Sequence, residues 1–329
     1  MRGRGRGRVR SCLRAFWNRF GARRAWEVVY PRTVKKHLLS AFGSSLRWGM
    51  LLVAFAVVGP LASLPLNAVR DVDGGHAVSM FVNAGVFPGV IGAACVFAAA
   101  LALGAIGAFL FSTGWACAYS GIVIAWGAYR CGTLEEIIRQ ARSDAPLTML
   151  ASEGLTAILF AGLIAGVIQR ISAKRQGLAV MPGSLIIQGD VPKLKTVTQI
   201  ALAAGGVAAG VVAYLAAVTD FKGQGIFAAF FAAIIAGVAT QIVAKSKGGQ
   251  ATVVLVVASV VIPAILGPAA AKILQGSTIV ETVFAGRVIP LARVMGLDWA
   301  AGALLGAPVG LGWAGAMIDS RAEEQAQSA

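Results

Sequence analysis

The chain has 329 residues, of which 57% are hydrophobic and only 13% charged, and its mean hydropathy is +0.77. A soluble fold of this length could not hide so much apolar surface, which excludes a soluble enzyme, a disulfide-stapled secreted domain and a disordered regulator. The net charge of +15 comes from 29 basic and 14 acidic residues. The expected fold is an all-α, polytopic transmembrane helix bundle.

Residues 1–47 form a basic arm with 13 Lys or Arg and one acid, Glu27. The other 282 residues carry 16 basic and 13 acidic groups, so the high isoelectric point belongs to the arm. The arm opens with a Gly–Arg repeat that cannot hold a helix. From Ser11 onward apolar residues recur near helical spacing. Arg14, Trp17, Arg19, Arg23, Arg24 and Trp26 are the expected lipid-surface residues of a basic amphipathic segment on an anionic leaflet. The alternative is an enlarged positive-inside signal. Nucleic acid is not an expected partner, because no nucleic-acid fold accompanies the Arg–Gly run.

Residues 48–318 form the expected transmembrane domain. Eight apolar runs approach the length of about 20 residues that a spanning helix needs. They are Trp48–Val69, Gly85–Leu110, Ser112–Tyr129, Leu155–Ile171, Val197–Val218, Ile226–Val243, Thr252–Ala271 and Trp299–Ile318. Only an uncharged break at Phe111–Gly114 separates the second and third, so seven spans is the alternative count. Trp48, Trp126, Tyr129 and Trp299 are expected at the headgroup level. Residues 319–329 form a short polar tail.

With the arm inside, eight spans leave 21 basic residues in inside segments and 8 in outside loops. Without the arm's 13 the comparison is 8 against 8, so orientation rests on the arm. The expectation is a bacterial inner membrane with both termini cytoplasmic. The Arg-rich arm also fits a mitochondrial transit segment, but the body has no mitochondrial mark.

All fourteen acids fall outside the apolar runs or at their edges. That disfavours a proton pump or a transporter coupled through a buried carboxylate. The four cysteines have no C-x-x-C spacing, and no catalytic motif is present, so no enzyme and no cofactor is expected. Asp71-Val72-Asp73-Gly74-Gly75-His76 could hold a divalent cation but lacks a closing glutamate, so a polar turn is expected.

Three packing features remain. Gly302, Gly306 and Gly310 form a stripe four residues apart, and Gly162 with Gly166 forms a pair. Such spacing lets helices approach closely, within the chain or in a homo-oligomer or membrane complex. Pro88 and Pro308 are the candidate helix breaks where a substrate could sit. Thr133–Glu136 and Thr278–Glu281 fit capping boxes that open short amphipathic helices along the membrane surface. One joins spans three and four and the other joins spans seven and eight, which predicts two four-span halves in parallel arrangement.

The leading function is passive transport or permeation of a small neutral or lipidic substrate. The alternative is a non-catalytic scaffold of a membrane complex. A polar vestibule of Asn83, Ser112, Thr113, Tyr119, Ser120, Thr240 and Gln241 would favour transport, and a uniformly apolar interior the scaffold. A peptide of residues 1–47 is expected to bind vesicles containing anionic lipid and to release as salt is raised. Equal sedimentation with neutral vesicles would count against the docking role.

Overall fold

The computed structural model describes residues 32–70, 74, 78–176, 186–187 and 194–328. The lipid-surface residues Arg14 to Trp26 and the Asp71, Asp73 and His76 turn lie outside them. The chain divides into two compact units, 1–50 and 51–329. The first contributes the start of α1 (Arg32–Val53).

The second unit is almost entirely helical. Its elements after α1 are α2 (Gly59–Asn67), α3 (Val86–Leu110), α4 (Thr113–Arg130), α5 (Leu134–Ala141) and α6 (Ala145–Gln176). There follow α7 (Leu194–Ala216), α8 (Lys222–Ser246), α9 (Val253–Ser259), α10 (Val261–Gln275), α11 (Ile279–Phe284) and α12 (Gly296–Ser328). Ile186–Ile187 pairs antiparallel with Gln250–Ala251 in a two-residue ribbon.

Among the described residues, seven helices are long and apolar enough to cross a membrane. They correspond to all the apolar runs except the third. That run is α4, which has only 18 residues and is diluted by Trp115, Tyr119, Trp126, Tyr129 and Arg130. It nevertheless traverses the bundle. Gly107 lies against Ala116, Gly104 against Ser120 and Gly127 against Val96, so α4 runs antiparallel to α3 along its length. Further along the chain, α6 runs parallel to α3, with Gly104 against Ile168 and Phe97 stacked on Phe160 at 5.0 Å.

The remaining directions follow from the same kind of contact. Gly154 meets Ala264, and Lys272 donates to Thr148, so α6 and α10 are antiparallel. Gly205 meets Ser259 and Gly210 meets Pro263, so α7 runs parallel to α9–α10. Gly205 also meets Thr240, while Gln224 reaches Ala216, so α8 returns antiparallel to α7. The second unit therefore makes eight alternating passes.

The passes form two similar halves. In the first, α2 packs on α3 and α4; in the second, α7 packs on α8 and on α9–α10. α3 runs parallel to α6 as α8 runs parallel to α12. α4 crosses to α12 of the other half, and α10 crosses to α6. The contacts of α6 with α12 and of α5 with α11 each join equivalent elements of the two halves. The two halves thus make corresponding kinds of contact.

Those loop helices correct one expectation. They do not lie on a lipid surface; their apolar faces pack together over one end of the bundle. Leu134, Ile137 and Ile138 of α5 join Ile279 and Val283 of α11 in a buried cluster with Leu147 and Leu150. The capping box at Thr133 forms, with the Glu136 amide donating to its hydroxyl and its own amide donating to Glu136. Thr278 makes no side-chain cap, because a 3₁₀ turn over Gly276–Thr278 leads into α11.

Many interior positions are alanines, and many large apolar side chains face outward. Ala100, Ala161, Ala229 and Ala233 are fully buried, while Phe109, Leu163, Leu215 and Phe227 are exposed. Membrane helices associate by close van der Waals packing, so small residues gather at contacts and large ones face lipid.

The tightest contact joins α8 and α12. Successive pairs Gly225–Asp298, Ala229–Gly302, Ala233–Gly306 and Gly237–Gly310 each step one turn along both helices. A Cβ on Gly310 would lie 2.1 Å from the Ile234 carbonyl oxygen, and one on Gly306 would lie 2.4 Å from that of Phe230. At Gly162 and Gly166 a Cβ would meet nothing within 4 Å. Among the described residues, therefore, nothing packs against α6 at those two glycines.

Neither proposed proline break occurs. Pro88 sits in the first turn of α3, where a missing backbone donor costs nothing. α12 passes through Pro308 as one helix. The irregular passes lie elsewhere: a π turn at Ala54–Val58 before Pro60, and a break at Val260 between α9 and α10. Pro60 and Pro263 each remove a donor from the helical ladder, which explains both positions.

Two outcomes follow. Gly310→Ala is expected to cost about 1–3 kcal/mol through overpacking, while Gly162→Ala stays neutral or slightly stabilising. Thermal unfolding in one detergent compares them, and equal melting temperatures would refute the packing assignment. Cysteines at Ser112, Ser246 and Ser320 are expected to react with an impermeant maleimide from one side of the membrane, and cysteines at Thr219 and Ser277 from the other. Mixed labelling within either set would show that the passes do not alternate.

Candidate functional site

The ion pairs among the described residues, Arg139–Glu135, Lys222–Asp298 and Arg293–Glu135, all lie at the end covered by α5 and α11. Here α4, α7 and α10 finish and α6, α8 and α12 begin. Arg293 is held in a 3₁₀ turn over Pro290–Arg293, just before α12. Its Nη2 and Nε donate to Glu135 Oε1 at 2.8 and 3.1 Å. Arg139, one turn beyond Glu135 on α5, donates to Oε2 at 3.1 Å. The remaining Arg293 donors reach the carbonyls of Val218, at the end of the seventh helix's pass, and Gly286, the latter at 3.1 Å. Arg293 thus ties the first half, through Glu135, to two segments of the second.

A second ion pair lies deeper. Lys222 Nζ donates to Asp298 Oδ2 at 3.2 Å, with the pair 12% and 1% exposed. Asp298 also accepts from the Met295 amide at 3.0 Å, as an acid in the first turn of α12. An acid there complements the helix dipole, whereas Lys222 at the start of α8 opposes it and is offset by Asp298. Lys222 reaches the Gly132 carbonyl of the first half at 3.4 Å.

Glu153 is the least expected member. The apolar run placed it outside the fourth span, but α6 begins at Ala145, so Glu153 lies in its third turn. It is 1% exposed and accepts from the Phe81 amide at 3.2 Å. Its other oxygen, like Asp298 Oδ1, is buried without a hydrogen-bond partner. The expectation that no carboxylate lies buried in the passes is therefore corrected at Glu153 and Asp298. The physical reason is that backbone contacts and Lys222 hold charges which apolar runs alone would exclude.

Above these pairs opens a cleft of about 800 Å³, within the usual range for ligand pockets. Tyr129, Arg130, Thr133, Glu136, Arg139, Asp220 and Lys222 are among its lining residues. A gap of about 10 Å³, room for a single water, continues from it towards Arg293 and Asp298. Asp220 accepts from the Thr133 hydroxyl at 3.2 Å, and its Oδ1 is buried without a partner. Burial raises Asp220 above the ordinary carboxylate value and the nearby charge of Glu135 adds to this, while the Thr133 hydrogen bond pulls it down. Cys131, at the end of α4, is pushed up to about 12 by burial, against the pull of Lys222. It is an inert thiol.

The residues proposed for a polar vestibule do not meet. Asn83 donates to Ser79 and Met80 carbonyls near the start of α3. Ser112 is at the opposite end, in the turn between α3 and α4. Ser120 donates to Ala100, Thr240 to Gly237, and Gln241 accepts from Ala251, so each is satisfied locally. Trp299 is not a headgroup anchor: it is fully buried at the start of α12. Trp48 and Tyr129 are exposed.

No family model, curated protein or solved structure matches this chain. The fold defines a polytopic membrane protein of two packed four-pass halves, and the residues alone carry any finer reading.

Removing one partner of the Arg293–Glu135 pair leaves the other charge buried. Arg293→Gln is expected to cost about 3–5 kcal/mol, and Glu135→Gln a similar amount. The double variant is expected to recover part of that loss, measured as a thermal double-mutant cycle. Additive losses would mean that the two side chains act independently.

Proposed function

We propose that the protein is a transport or permeation protein for a small neutral or lipidic substrate, working between its two halves. The observation that carries this reading is the charged clasp between them: Glu135 to Arg293, and Gly132 to Lys222, both at one face of their interface. Parallel repeats related by an axis along the membrane normal are one architecture of membrane transporters, whose substrates bind between the repeats. A charged clasp at one face suits a gate that parts when the halves rock. The Ala-rich interior offers no counter-charge along most of its length, which suits a substrate without net charge. The arm's charge supports a bacterial inner membrane with the N-terminus cytoplasmic. On that orientation the clasp faces away from the cytoplasm. No chemistry on the substrate is part of the proposal.

A second reading, a scaffold for a membrane complex, is favoured by one observation. Ser120, Thr240 and Gln241 are each hydrogen-bonded within the chain and do not gather into one vestibule.

Proteoliposomes separate the two. Stopped-flow light scattering would follow small neutral solutes, and dithionite quenching would follow flipping of a fluorescent phospholipid. Flux above empty vesicles, raised several-fold by the Glu135→Gln/Arg293→Gln double variant, is the expected result. No flux of either class, in wild type and double variant alike, would leave the scaffold.

A further inference from the structure

Resting on the transport reading, we infer that the open cleft beside α5 is a binding site for a phosphate–ammonium zwitterion, the chemistry of an ethanolamine phospholipid headgroup. Among the described residues, the cleft holds two charged groups without an ionic partner. Each ion in the clasp already has its partner: Glu135 is shared by Arg139 and Arg293, and Lys222 is held by Asp298. Glu136 accepts from the Thr133 amide in the capping box.

Two groups lining the cleft are left over, and they have opposite signs. The Arg130 guanidinium lies over the Trp126 ring at 5.7 Å, and its Nε is buried without a hydrogen-bond partner. Asp220 spends one oxygen on Thr133 and leaves the other buried and unpartnered. Among the described residues no ion pair within 4.0 Å joins Arg130 to Asp220, so the two leftovers are not paired with one another. A single ligand with both an anion and a cation satisfies both.

A guanidinium takes the oxygens of a phosphate in charge-assisted hydrogen bonds. A primary ammonium supplies the donors that Asp220 lacks. The cleft is also flanked by two large exposed side chains, Tyr129 at 61% and Phe221 at 78%. Their exposed rings would offer apolar contact to alkyl chains, which suits a lipid. A free phosphoethanolamine ester has the same polar chemistry and is the second source to test. In either form the ligand has no net charge, as the transport reading requires.

The full-length protein, purified in detergent, would be titrated with phosphatidylethanolamine or phosphatidylglycerol and the bound lipid counted by native mass spectrometry. Arg130→Gln is expected to weaken both lipids about tenfold or more. Asp220→Asn is expected to weaken phosphatidylethanolamine by a similar factor and to leave phosphatidylglycerol unchanged, because that headgroup has no ammonium. Both variants remove groups that tie few elements together, and an unchanged melting temperature would confirm their folding. Glycerophosphoethanolamine is the competitor. Displacement of the lipid by millimolar competitor assigns the site to the free zwitterion, and resistance to it assigns the site to the lipid, in each case with the Asp220 dependence retained. Equal binding of both lipids, unaltered by either substitution, would overturn the site. Specific binding without flux in proteoliposomes would sink the transport reading and leave the site standing; flux without Asp220-dependent binding would do the reverse.

Discussion

The fold depends on how closely α8 and α12 approach. In a bilayer the lipid is as apolar as the side chains, so burial from water supplies no force between passes, and contact area must be gained by proximity. Glycines at 302, 306 and 310 let α12 rest on the backbone of α8 at Phe230 and Ile234. That places the starts of both helices side by side. Lys222 and Asp298 are therefore within reach of one another, and the shared register of the two passes is fixed at the charged end by an ion pair and along the rest by glycine.

The charges follow the same economy of position. Ionised side chains are costly within a bilayer and tolerable at its edge when paired. Each of the eight passes brings one end to this face, and the connecting segments fold back over it as α5 and α11. This cover shields Glu135 and Arg293 enough to make their pairing strong, yet leaves the cleft above them open. The opposite face has no comparable clasp among the described residues; Arg175 there reaches only the Phe109 carbonyl at 3.4 Å.

Helical class and the passes were legible in the sequence because both rest on local patterning. Apolar runs mark helices. Gly302, Gly306 and Gly310 were legible because a triple spacing is rare by chance. Gly162 and Gly166 show the limit: spacing says that a face is smooth, not that anything lies against it. Pro88 and Pro308 misled because a proline breaks a helix only where its missing donor matters, and the first turn of α3 makes no such demand. The functional face was hidden for a different reason. Glu135 and Arg293 lie 158 positions apart, and no periodicity links them. The one local signal was the length of the fourth span: an apolar run beginning at Leu155 is short, and its continuation back to Ala145 carries Glu153 inside.

Each half makes an even number of passes. A four-pass unit begins and ends on the same side, so a copy joined to it inserts the same way up. The stretch between α6 and α7 has only to stay on one side of the membrane. A chain built this way could arise by fusing two identical subunits that had already paired about a two-fold axis. Once fused, the copies were free to diverge. The asymmetry of the clasp, with the carboxylate of Glu135 from one half facing Arg293 of the other, is something that two identical subunits could have built only twice over.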